Sequence, residues 1–116
     1  MELDKTLAEA FATVQRLLRA ERHVECDSTP SGLCVHLPGK PACVVCRLVD
    51  LGGDKPCVLV PLPAEQVTNL VPLLEVTAEP DGGSRIALMS RHDLRVIGPA
   101  LCAAWDARSA SGSGNA

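Results

Sequence analysis

The sequence predicts an α+β domain: an antiparallel sheet of about five strands with N-terminal, middle and C-terminal helices packed on it. Three observations carry that expectation. The first is an amphipathic stretch at the start of the chain. Leu3, Leu7, Phe11, Val14, Leu17 and Leu18 recur on one side of a helix, with most charged residues elsewhere. The second is a block of strand-like sequence from Leu33 to Val60, punctuated by Gly- and Pro-rich turns. The third is that these strands follow one another across tight turns. That order suits an antiparallel sheet, not one built from crossover helices.

The first helix is expected from residue 2 or 4 to about residue 22, with Asp4 as a plausible N-cap. Residues 23–28 read as extended, and Thr29-Pro30-Ser31-Gly32 reads as a turn. Leu33-Cys34-Val35-His36-Leu37 alternates. It sets Leu33, Val35 and Leu37 on one face, and Cys34 and His36 on the other. Ala42 to Leu51 is the strongest strand, apolar on both faces except at Arg47 and Asp50, the pattern of a central strand. Gly52-Gly53-Asp54-Lys55 joins it to a return strand, Cys57 to Val60, where Pro61 and Pro63 end the pairing.

Ala64 to Leu74 reads as a short helix that Pro72 kinks or ends. A second hairpin follows, with strands at 75–79 and 85–90 about the turn Pro80-Asp81-Gly82-Gly83. The closing segment has two readings. Either a kinked helix spans 93–108, capped by Asp93, or a strand covers 93–97 and Pro99 opens a helix. Residues 1–108 thus make a single domain, and 109–116, small and Gly/Ser-rich, are expected to be a disordered tail.

Composition narrows the function. Of 116 residues 47% are apolar, yet Phe11 and Trp105 are the only aromatics, so the core must be aliphatic. That suffices, because burial is worth roughly 25 cal/mol per Å² whatever the apolar group. The scarcity of rings and a net charge of −3 argue against nucleic-acid binding. No apolar run approaches the roughly 18 residues that cross a bilayer, and the acidic start does not read as a signal peptide. The expected location is cytoplasmic, with no membrane partner. The six cysteines are then expected to be reduced thiols.

No catalytic set is visible, and an enzyme is not expected; nor is a cofactor. Cys43-Val44-Val45-Cys46 is the sharpest motif, and with Cys34 and Cys57 it offers four ligands to zinc. The objection is geometric. Within a regular strand, an i, i+3 pair projects to opposite faces. The favoured reading is a set of small buried hydrophobes. His92-Asp93 beside Ser90 is half of a triad at most, because adjacent residues cannot take its three positions. Gly52-Gly53-Asp54-Lys55 lacks the spacing of a phosphate loop and reads as a turn.

The pattern as a whole resembles the class I type III secretion chaperones, which are small, acidic proteins. The likeness rests on size and charge, the helix Leu3–Arg22, the strand block Leu33–Val60 with its short helix and following hairpin, and the segment from Asp93 through Gly98-Pro99 to Trp105. It implies a homodimer that holds an extended segment of a secreted effector around the first helix and the sheet. The candidate partner-binding residues are Leu7, Phe11, Val14, Leu18 and Trp105. Trp105 is expected either to anchor that interface or to close the core under the last helix. A rival reading makes the chain a small subunit of a larger cytosolic assembly.

Overall fold

The computed structural model describes residues 5–19, 21–30, 32–50, 55–89 and 91–114, and it is an α+β fold. Helix α1 spans Lys5–Leu18, followed by strands β1 (Glu25–Thr29), β2 (Gly32–Leu37), β3 (Lys40–Val49) and β4 (Cys57–Val60). Helix α2 is Ala64–Leu70, β5 is Glu75–Ala78 and β6 is Ser84–Ala87. A 3-10 helix over Arg91–Val96 leads into α3, Gly98–Gly114. The six strands form one antiparallel sheet in the order β1-β2-β3-β4-β6-β5.

Several boundaries differ from the sequence expectation, each for a local reason. Helix α1 stops at Leu18 and not near 22, because Arg19 takes a left-handed conformation (φ 68°) and turns the chain toward β1. The proposed cap Asp4 and the hairpin tip Gly52-Gly53-Asp54 lie outside the described residues. Helix α2 ends at Leu70, ahead of Pro72, whose ring forbids a further turn. Residues 93–97 form neither a strand nor an α-helix. The 3-10 turn takes 93–96, and Asp93 Oδ2 reaches back to accept the Met89 amide at 2.8 Å.

Pro99 is then the second residue of α3, where its missing N–H costs nothing. Beside it, a Cβ at Gly98 would stand 3.3 Å from Leu17, so the glycine lets α3 pass close to α1. Helix α3 carries on to Gly114, through most of the 109–116 segment expected to be disordered.

Helices α1 and α2 both pack against α3, so all three share one side of the sheet. Between the layers lies an aliphatic core that includes Val14, Leu18, Leu33, Val35, Leu48, Val58, Ile86, Ile97 and Leu101, each at most 1% exposed. Leu33 and Val35 reach it from alternate positions of β2, as the sequence pattern implied. Among the described residues, the opposite face of the sheet carries no helix. A cross-strand row runs over it: Asp27, Cys34, Arg47, Leu59, Arg85 and Thr77.

Candidate functional site

The apolar stripe of α1 is consumed by the chain's own core. Val14 and Leu18 are fully buried, which corrects their assignment as partner-binding residues. Leu7 and Phe11 are half-buried at the margin of the same core. Packing three helices on one sheet face gave the stripe an intramolecular cover. Trp105 is also half-buried, and its indole Nε1 donates to the His23 carbonyl at 2.9 Å. The Arg22 guanidinium lies 5.9 Å from the ring centroid and makes a two-pronged pair with Asp106, at 3.1 and 3.2 Å. Trp105 thus pins α3 to the segment between α1 and β1.

The cysteine motif behaves differently from a regular strand. The register of β3 against β2 slips between Val35↔Cys46 and His36↔Val44, leaving Val45 as an extra, bulged residue. Alternation restarts there, so Cys43 and Cys46 both pack against the core. The expectation that they face opposite sides is therefore corrected: a bulge adds the residue that brings i and i+3 to one face. Cys34 sits on the helix-free face opposite Arg47, and Cys57 lies between Val49 and Ala87. All six thiols are free, and burial raises the pKa of Cys26, Cys46 and Cys57. Among the described residues no three His, Cys, Asp or Glu side chains are grouped to hold a metal. Ser90 and the His92 side chain lie outside the described residues.

His36 is buried on the helix-free side, 5% exposed. Its Nδ1 meets the Leu37 carbonyl at 2.9 Å and its Nε2 meets Asp27 Oδ2 at 3.0 Å. The contact fastens the edge strand β1 to β2.

The feature best shaped for a partner is a notch beside β3. That strand has ten residues, but β4 pairs with it only at Arg47, Leu48 and Val49 before Pro61 turns the chain away. On the β4 side, Lys40–Cys46 has no strand partner among the described residues. Pro41, which has no N–H, is tolerated in such a stretch because one side has no ladder to break. A cleft of about 270 Å³ lies there, lined by Ala42, Val44, Arg47, Leu59, Pro61 and Arg108, with Glu79 and Asp81 at the far wall.

Arg108 reaches from α3 to give Nε to the Val44 carbonyl at 3.1 Å, the one side-chain bond drawn to this edge among the described residues. The acids at the far wall are already engaged. Glu79 Oε2 lies 3.5 Å from Arg85 Nε, and Asp81 Oδ1 accepts the Gly83 amide at 2.9 Å. Arg47 is exposed and has no acidic partner among the described residues. Sequence reasoning missed this site, although its signal was present: a long strand facing a return strand that prolines cut short.

Leu73 and Met89 are a second exposed feature, each 89% exposed. They flank the paired residues Glu75 and Ala87 at one end of the β5–β6 hairpin, next to the outer strand β5. Compared with family models, with curated proteins and with solved structures, the chain finds no match. No helix among the described residues is long and apolar enough to cross a membrane.

Proposed function

We propose that this chain is a non-catalytic, cytoplasmic polypeptide-binding protein that holds an extended segment of a protein partner. This is the role implied by its resemblance to the class I type III secretion chaperones. The observation that carries the reading is the edge of β3 in its cleft, which has no strand partner among the described residues. Free backbone donors and acceptors beside an apolar wall suit an added strand, which takes its affinity from main-chain hydrogen bonds. The partner surface moves accordingly, from the α1 stripe to the sheet.

Self-association as a homodimer is the second part of the reading. Exposed Leu73 and Met89 beside the outer strand β5 support it, since paired apolar side chains next to a free edge favour a neighbouring chain. Free thiols at all six cysteines are in keeping with a reducing compartment.

Light scattering across a concentration series tests the dimer. A mass twice that of the chain at micromolar concentration, falling to the monomer in a Leu73→Asp/Met89→Asp double variant, is expected. A wild-type protein that stays monomeric at high micromolar concentration contradicts it.

A further inference from the structure

We propose that the notch beside β3 takes an extended acidic peptide, its backbone paired with the free edge of β3 and its carboxylates met by Arg47 and Arg108. The inference rests on the polypeptide-binding reading and specifies the partner's chemistry. Two independent features converge on it. The first is the backbone: between Lys40 and Cys46, β3 pairs with β2 at Lys40, Val44 and Cys46, and among the described residues no strand pairs with it on the other side. A peptide laid there extends an existing ladder and needs no rearrangement of the sheet.

The second is charge. Four ionisable side chains line the cleft beside this edge, and they are not equivalent. Glu79 is matched by Arg85, and Asp81 is committed to the amide of its own turn. Among the described residues Arg47 has no acid paired with it, and Arg108 spends one N–H on a neutral carbonyl. With Glu79 matched by Arg85, two arginines face one remaining carboxylate, Asp81, so the balance of charge at the cleft is positive, in a chain whose net charge is −3.

Arg108 also supplies a mechanism for exchange. Its bond to the Val44 carbonyl occupies the acceptor that an incoming strand needs. A peptide N–H takes over that carbonyl, and the released guanidinium turns to a peptide carboxylate. The swap replaces a charge-to-neutral hydrogen bond by a charge-to-charge one, the stronger kind. Between the arginines, Ala42, Val44 and Leu59 present apolar surface. In an extended chain side chains alternate at period two, so the matching peptide alternates apolar and acidic residues.

The test is fluorescence anisotropy with a short labelled peptide that alternates valine with glutamate, alongside its glutamine and lysine counterparts. The glutamate peptide is expected to bind about tenfold tighter than the glutamine peptide, the lower range of what hydrogen bonds to charged groups are worth. The lysine peptide is expected to bind weakest. Arg47→Ala, at an exposed position, should keep its melting temperature and lose most of the glutamate preference. Arg16→Ala, at an exposed position of α1 outside the cleft, should retain it. Raising NaCl to about 0.5 M should narrow the gap.

If the glutamine peptide binds as tightly as the glutamate peptide, the acidic preference is overturned while polypeptide binding stands. If Arg47→Ala keeps the full preference, the assignment of the arginine is overturned. If none of the three peptides binds, both this inference and the reading beneath it fail.

Discussion

The Trp105 indole donates its Nε1 proton to the His23 carbonyl, 2.9 Å away and 82 residues back along the chain. The bond joins the last helix to the linker between α1 and β1, and the Arg22–Asp106 pair closes the same seam beside it. A lone tryptophan thereby serves as an internal clasp. Trp105→Phe keeps most of the ring and removes the donor, leaving the His23 carbonyl to water. It should lower unfolding stability by about 1 kcal/mol, the usual worth of one hydrogen bond, with no change in oligomeric mass. Chemical denaturation paired with light scattering reads both. A variant that melts as wild type yet loses self-association would return Trp105 to an interface.

Helix α1 should be intolerant of charge along its buried line. Val14→Asp places a carboxylate where the wild-type side chain has no exposed surface, at a cost of several kcal/mol. Lys5→Asp or Gln15→Asp, at exposed positions of the same helix, should stay within about 0.5 kcal/mol of wild type. Thermal melts followed by circular dichroism separate the two classes. Equal melting temperatures would show that the stripe is not the core.

The His36 clamp can be opened from its exposed end. Asp27 is 66% exposed by its side chain, so Asp27→Ala disturbs little packing, but it leaves Nε2 of a buried ring without its hydrogen-bond partner. The expected loss is about 1–3 kcal/mol, the penalty of an unsatisfied buried polar group. Amide exchange across Glu25–Thr29 should quicken before the rest of the sheet responds. Unaltered exchange there would mean that the His36–Asp27 contact does not hold β1.

The thiols set an alkaline limit on stability. Burial raises the folded-state pKa of Cys46, Cys26 and Cys57 above the ordinary 9.0. Unfolded thiols lose protons first as pH rises, so the unfolded state is favoured progressively above about pH 9, and no such loss occurs below it. The melting temperature should fall between about pH 9 and 11, and Cys46→Ala should make the fall shallower. In native protein at pH 8, Cys46 should be the slowest thiol to alkylate. Rapid labelling of Cys46 would place it at the surface.

Much of the architecture was legible in residues whose neighbours in sequence are also their neighbours in space. The period of Leu7, Val14 and Leu18 marked α1, and the alternation of Leu33, Val35 and Leu37 marked the core face of β2. Pro61 and Pro72 marked where β4 and α2 end. Most of what escaped depended on long-range pairing. The bulge at Val45 has no local signature, and it lies between Cys43 and Cys46, which both pack against the core. The left-handed turn at Arg19 uses neither Gly nor Asn, so α1 looked longer than it is. The candidate site was hidden for the same reason. Arg47 and Arg108 lie 61 positions apart in the numbering, and only the packing of α3 across β3 makes them line one cleft.

The central claim is that the free edge of β3 is where a polypeptide joins this protein. Amide hydrogen exchange at single-residue resolution, with and without the valine–glutamate peptide at saturation, tests it most directly. Pairing should slow exchange within Ala42–Cys46, leaving α1 and the β1 edge unchanged. Peptide bound with no slowing in Ala42–Cys46, or with protection gathered on α1 around Leu7 and Phe11, would contradict the account.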